Sequence, residues 1–240
     1  MLVKKRSKAY RLLTKIAFLS SLVLLIGGLI YLFFFSSIFK IKSIEVEGRE
    51  LAPDVDLGEV GENILFWKLN QDNLPSLVES VEVDKKYWDG TVLVTFNERE
   101  KYLIWCYEID RSCYWVDRDG LLFSGAPDLR GPLVFKIVRD QKASPVQIGE
   151  QVIPNKMYVN LVAAFDFLDR YNISVNEFVI EDIARREAVA RVAGDKDIYF
   201  SLTENPDFGG SVVNSLKKSG EWNLIRYLDL RVPDRAYYSL

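Results

Sequence analysis

The sequence predicts an α+β protein carried on one transmembrane helix. Three observations predict it. A single uncharged apolar block lies near the N-terminus. Short runs that alternate apolar and polar residues fill most of the remainder. Only one long segment after the block, around residues 155–173, repeats its apolar residues at helical spacing. The expected order is a basic tail (1–15), a transmembrane helix (16–38), a small β-α-α-β-β domain (39–99) and a larger mixed α/β domain (100–240) that closes on an edge hairpin.

The apolar block "IAFLSSLVLLIGGLIYLFFFSSIF" carries no charge. About 20 apolar residues suffice to cross the hydrocarbon core. A cleaved signal peptide would have a shorter apolar region and a small-residue cleavage site, and "YLFFFSSIFKIK" is too bulky for one. The block therefore reads as an uncleaved anchor. Lys4, Lys5, Arg6, Lys8, Arg11 and Lys15 precede it with no acid among them. Such a flank stays cytoplasmic, which places the bulk of the chain outside the inner membrane. Taking those six from 31 basic residues leaves 25 against 34 acids, a charge of −9 beyond the span. An acidic surface of this kind does not favour nucleic acid.

In the small domain, Ile44 and Val46 alternate with Glu45 and Glu47, a strand with one buried face. "APDVDLGEV" begins with residues that favour a helix start, and "NLPSLVES" suggests a second short helix. Val81 and Val83 alternate with Glu82 and Asp84 as a second strand. "WDG" is a turn, and Val92, Val94 and Phe96 form the third strand.

The larger domain is richer in strands. "YLIWCYEI", "CYWVD", "LLFSG" and "LVFKIVRD" are short strands between Asp, Gly and Pro turns. In "NKMYVNLVAAFDFLDRYNI", Met157, Leu161, Ala164, Phe165 and Leu168 make one helical face. "NEFVIEDI", "EAVARVAG" and "DIYFSLTE" return to strand, and "GGSVVNSLKKSGEW" is a second, shorter helix. If "EIDR" turns the chain, Cys106 faces Cys113 across a hairpin. Outside the membrane the pair can be oxidised, or both can stay as half-buried thiols.

The residue inventory narrows the chemistry. The chain has no histidine. A Ser-His-Asp or Cys-His site is thereby impossible within it, and zinc would have no imidazole ligand. No GxxxxGK[ST] phosphate loop occurs. No catalytic residue, cofactor or metal site is expected. Asp54, Asp56 and Glu59 read as an acidic helix start rather than a calcium loop. Asp117 and Asp119 bracket a turn rather than a sugar site. "SLKKSGE" contains the elements of a Ser–Lys dyad, so a membrane-anchored extracytoplasmic hydrolase is the alternative reading.

The last fifteen residues, "RYLDLRVPDRAYYSL", read as the edge hairpin. Leu228 and Leu230 point to one side, and Tyr227, Asp229 and Arg231 to the other. Pro233 stands at a favoured turn position. On the second strand Ala236, Tyr238 and Leu240 share one face, opposite Arg235, Tyr237 and Ser239. No proline or inward charge protects this strand, so its unpaired backbone invites strand addition by a partner. The candidate partner-binding residues are Arg226, Tyr227, Asp229, Arg231, Arg235, Ala236, Tyr237 and Tyr238. Tyr227 and Tyr237 would anchor, and Arg226 and Arg235 would steer an acidic segment. The other reading is that the tyrosines only cover the end of the core.

In order and spacing, "IEVEG", "VTFNERE" followed by Trp105, "WVDRDG" and "RYLDLR" resemble the bacterial division proteins called FtsQ in some bacteria and DivIB in others. The resemblance runs over nearly the whole chain. It departs at "KKYWDG", where Tyr87 and Trp88 precede an Asp-Gly turn without proline, and at Lys101, where proline is frequent. It implies a POTRA domain over 39–99 and the family's β domain over 100–240. It implies a non-catalytic scaffold in the inner membrane at the division septum that links early and late division proteins. The implied partners are single-span proteins of the FtsB/DivIC and FtsL types, with the former adding a strand to the C-terminal edge. Further division proteins would meet the POTRA domain. A POTRA-bearing secretion or outer-membrane assembly component is a further alternative.

Overall fold

The computed structural model describes residues 8–129 and 136–239, with side chains from Lys15 onward. The first seven residues of the expected basic tail, the beginning of the strand read in "LVFKIVRD" and Leu240 lie outside those residues. Helix α1 runs Lys8–Phe35 and is followed by a short 3-10 turn, Ser37–Phe39. Within it and the turn, Lys15–Phe39 is long and apolar enough to cross a membrane. Ser20 Oγ donates back to the carbonyl of Ala17, so its hydroxyl is satisfied inside the helix.

The remainder is rich in sheet, and the chain divides into two units: Met1–Pro75 with Ser80–Asn97, and Ser76–Glu79 with Glu98–Leu240. The first unit contains a three-stranded sheet of β1 (Ser43–Glu47), β2 (Val78–Lys86) and β3 (Thr91–Glu98), in the order β1-β3-β2. β1 pairs parallel with β3 from Ser43↔Thr91 to Glu47↔Thr95. The central strand buries Val92, Val94 and Phe96. Of the two β2 valines expected inside, Val81 is half-buried and Val83 is exposed.

The two helices expected over "APDVDLGEV" and "NLPSLVES" do not form, so the β-α-α-β-β reading is corrected. Between β1 and β2 the chain makes one 3-10 turn, Arg49–Leu51, and otherwise runs through turns and irregular backbone. The reason is tertiary. Gly58 and Gly61 take positive φ, which a helix cannot accommodate. The Trp67 indole N–H donates to the carbonyl of Leu57, and Arg49 donates to those of Pro53 and Val55. Lys85 Nζ donates to the carbonyls of Ile64 and Trp67. These side chains satisfy carbonyls that helical bonds would otherwise occupy, and Ala52, Val55, Ile64 and Trp67 are buried by the path they impose. Val78, assigned to the second helix, is the first residue of β2.

The second unit is built on a nine-stranded sheet. Its further strands are β4 (Leu103–Tyr107), β5 (Ser112–Val116), β6 (Leu122–Gly125), β7 (Lys136–Asp140), β8 (Val175–Ile180), β9 (Glu187–Val192), β10 (Lys196–Ser201), β11 (Tyr227–Leu230) and β12 (Tyr237–Ser239). Their order is β12-β11-β10-β9-β8-β7-β4-β5-β6. Helices α2 (Asn155–Arg170) and α3 (Gly210–Ser219) contribute to one continuous core with strand residues including Leu103, Trp105, Val138, Phe178, Ile198, Phe200 and Leu228. α2 buries Leu161, Ala164, Phe165 and Leu168, as its spacing requires, and also Tyr158 and Phe167.

On the other face, Cys106 and Cys113 sit at paired positions of β4 and β5 and are joined by a disulfide. The bond lies buried with Ile104, and Ala126 and Leu129 pack against it. Replacing both cysteines with serine is expected to lower the unfolding free energy by about 2 kcal/mol, since the closed loop is short. Thermal denaturation of the wild type with and without reductant, beside the double variant, checks this. The reduced wild type and the double variant should melt close together.

Candidate functional site

The edge is positioned by three strands of different origin. β10 pairs parallel with β11, from Asp197↔Tyr227 to Phe200↔Leu230. β11 then pairs antiparallel with β12, placing Tyr227 opposite Ser239, Leu228 opposite Tyr238 and Asp229 opposite Tyr237. The connection is a tight turn closed by the Arg235 N–H on the Val232 carbonyl, with Asp234 at positive φ. Leu228 and Leu230 point into the core. Leu230 packs so tightly on Gly209 that a Cβ there would lie 2.7 Å from its Cδ2. Close packing at the head of α3 therefore fixes the height of β11, and β11 carries β12.

Backbone alternation gives the edge its chemistry. The Arg226 carbonyl accepts from Asp197 on β10, so the Tyr227 and Asp229 backbone groups face β12. Tyr237 and Ser239 answer them. The N–H and C=O of Tyr238 then point outward. Among the described residues, β12 is paired with β11 on one side and forms the edge of the sheet on the other. Tyr237 is 48% exposed and Tyr238 43%. Tyr238 also lines a groove of about 360 Å³ with Ser211, Val212, Ser215 and Leu216 of α3 and with Glu221.

The candidate residues divide by environment. The side chains of Arg226 and Arg235 are exposed. The Arg235 guanidinium is hydrogen-bonded to Tyr237, which raises its pKa. Tyr227 lies edge-on to Tyr199 at 6.2 Å. Ala236 is half-buried against the core. Asp229 and Arg231 form a bidentate pair, Nε–Oδ1 2.9 Å and Nη2–Oδ2 2.6 Å, and Arg231 Nη1 donates to Glu187 at 2.8 Å. The same guanidinium lies 5.1 Å over the Tyr199 ring. Arg231 is thus committed to structure within the sheet. Arg185 shares a small cleft with it and pairs with Glu181.

Burial pushes the Asp229 carboxyl up, but the side-chain and backbone hydrogen bonds from Arg231 outweigh it and hold the group below its ordinary range. The Arg231 guanidinium is raised, first by its bond to Asp229. Because the folded value of Asp229 is depressed, its contribution is present above its unfolded pKa and is lost as pH falls through the folded value. Asp229→Asn should therefore destabilise at neutral pH and shrink the loss of stability seen below about pH 4. Denaturation midpoints measured across that range check it.

The residues weighed for chemistry have structural neighbours. Asp117 Oδ1 accepts from the N–H groups of Asp119 and Leu121, and Oδ2 accepts from Arg99 at 2.6 Å. Asp56 accepts from the Gly58 N–H in a turn. Lys217 Nζ donates to the Tyr171 carbonyl and lies 5.4 Å over the Trp222 ring. Sequence reasoning missed Tyr199, Glu187 and the groove along α3. Tyr199 was readable, since "DIYFS" alternates it with Ile198 and Phe200. The groove was not, because it depends on which strand lies beside α3. Comparison with known proteins finds no matching family model and no match among curated proteins.

Proposed function

We propose that the chain is a membrane-anchored, non-catalytic scaffold of the bacterial division machinery, of the FtsQ/DivIB type, that binds a partner by adding the partner's strand to β12. The reading rests on one observation above the rest: among the described residues, the outward backbone of Tyr238 stands at the open edge of the sheet, beside the exposed Tyr237 and the α3 groove. Main-chain bonds to such an edge give affinity, and alternate side chains give specificity. Basic residues ahead of the apolar helix support an orientation with both folded units outside the inner membrane. The sequence motifs support the family and hence single-span FtsB/DivIC-like and FtsL-like partners at the septum.

The test is co-purification of the tagged full chain with the single-span division proteins of the same cell. Arg226→Glu is the specificity control. It should weaken capture about tenfold if an acidic segment approaches this end of the edge, the scale of one lost interfacial charge contact, while leaving the melting curve in place. Undiminished capture by the variant would remove Arg226 from the interface.

A further inference from the structure

We infer that the membrane-proximal end of the first unit is itself a membrane-binding surface, with Trp88 inserted among the lipid headgroups of the bilayer that α1 crosses. The inference does not depend on the division reading. It begins with register. β1 starts four residues after Phe39, where the apolar segment ends. Its parallel pairing with β3 places Ser43 beside Thr91, so the start of β3 lies at the same end. The β2–β3 turn, "YWDG", is therefore brought back to the point where the chain leaves the bilayer.

Contacts fix that placement. The Lys42 N–H donates to the Gly90 carbonyl at 2.7 Å. A Cβ on Gly90 would lie 2.8 Å from the Lys40 carbonyl, so the turn is packed against the exit segment with no room between them. The loop at 61–66 comes to the same end. Ile64 donates to the Phe39 carbonyl, Asn63 Nδ2 donates to the Phe33 carbonyl, and Phe66 stacks on Phe34 of α1 at 5.1 Å. From Lys15 to Phe35 the helix rises about 30 Å, which matches the hydrocarbon thickness of about 30 Å. Phe34, Phe66 and the turn then fall at the interface.

The side chains presented there suit lipid. Trp88 is 92% exposed, an unusual state for the largest apolar side chain; Tyr87, the preceding residue of the turn, is exposed, and so is Phe66 in the 61–66 loop. Lys40, Lys42 and Lys86 are exposed on the same end. Tryptophan and tyrosine concentrate at membrane interfaces because a polar N–H or O–H sits on an apolar ring, and lysine reaches outward to phosphate. Asp89 and Glu62 share the surface, so its net charge is small and the indole leads the interaction. The partner is the headgroup layer, held at high local concentration by the helix that already spans it.

The experiment reconstitutes the full chain in vesicles of phosphatidylcholine and phosphatidylglycerol whose acyl chains carry bromine on the carbons nearest the headgroup. Bromine quenches nearby indoles. Wild type and Trp88→Phe are compared, with iodide as the aqueous quencher. The inference expects brominated lipid to remove a component of wild-type emission that the variant lacks, and expects iodide to reach that component poorly. It is overturned if the Trp88 component is open to iodide and brominated lipid dims both proteins equally. Trp88 is so exposed that the phenylalanine variant leaves the fold intact, and Trp88→Glu supplies a second reading. It should raise the accessibility of Lys40, Lys42 and Lys86 to an aqueous amine reagent in vesicles, and no change there also counts against the inference.

Discussion

Replacing Arg139 with methionine is expected to lower the unfolding free energy of the second unit by about 3 kcal/mol, the lower part of the range for breaking a buried ion pair. Arg139 stands on β7 with its side chain 8% exposed. Nε donates to Glu177 at 2.7 Å, Nη1 to Glu108 at 3.0 Å, and Nη2 to Asp128 at 2.9 Å and to the Leu129 carbonyl at 2.8 Å. Burial lowers the pKa of the guanidinium, and the three carboxylate bonds more than reverse this, so it is raised overall. Methionine fills similar volume but leaves three carboxylates close together without their cation. The effect falls at the lower end because Glu108 and Asp128 are about a third exposed and Glu177 keeps Arg191. Arg139→Lys should recover only part of the loss, since one ammonium cannot satisfy a three-way fork. Urea denaturation of the full chain in detergent reads both variants.

The second large effect is on binding. Tyr238→Pro is expected to abolish partner capture while changing stability by less than about 1 kcal/mol, as edge proline is tolerated where its missing N–H faced outward. The N–H that proline removes is on the open side of β12, and the ring obstructs an approaching strand. Tyr237→Pro differs in kind. Its N–H faces β11, so that variant loses a ladder bond and loosens the hairpin itself. The two prolines, one residue apart, therefore separate loss of the docking edge from loss of the fold. Capture efficiency set against melting temperature for the pair shows which residue carries the outward donor.

What was legible in the sequence follows from period. Leu228 and Leu230 against Tyr227 and Asp229 gave the two faces of β11 correctly, because one face meets a core and the other does not. The spacing of Leu161, Ala164, Phe165 and Leu168 likewise located α2. Residues 52–77 were misread for a reason local pattern does not contain. Pro53, Asp54 and Asp56 look like a helix start, but carbonyls along the segment are taken by Arg49 just before it, by Trp67 within it and by Lys85 from β2. Asp229 and Arg231, read from the sequence as facing a partner, also pair with each other and with Glu187. That triad requires β9 and β11 to flank β10, an arrangement set by the parallel β10–β11 pairing rather than by neighbouring residues.

Hydrogen exchange on the purified chain, alone and in its co-purified complex, measures the outward edge most directly. Strand addition predicts that, within peptides covering residues 235–239, the outward Tyr238 amide exchanges quickly in the free chain while those of Tyr237 and Ser239 are held by β11, and that the complex strongly protects it, with Tyr238→Pro losing the partner. A complex that forms while those peptides exchange as fast as before would contradict it.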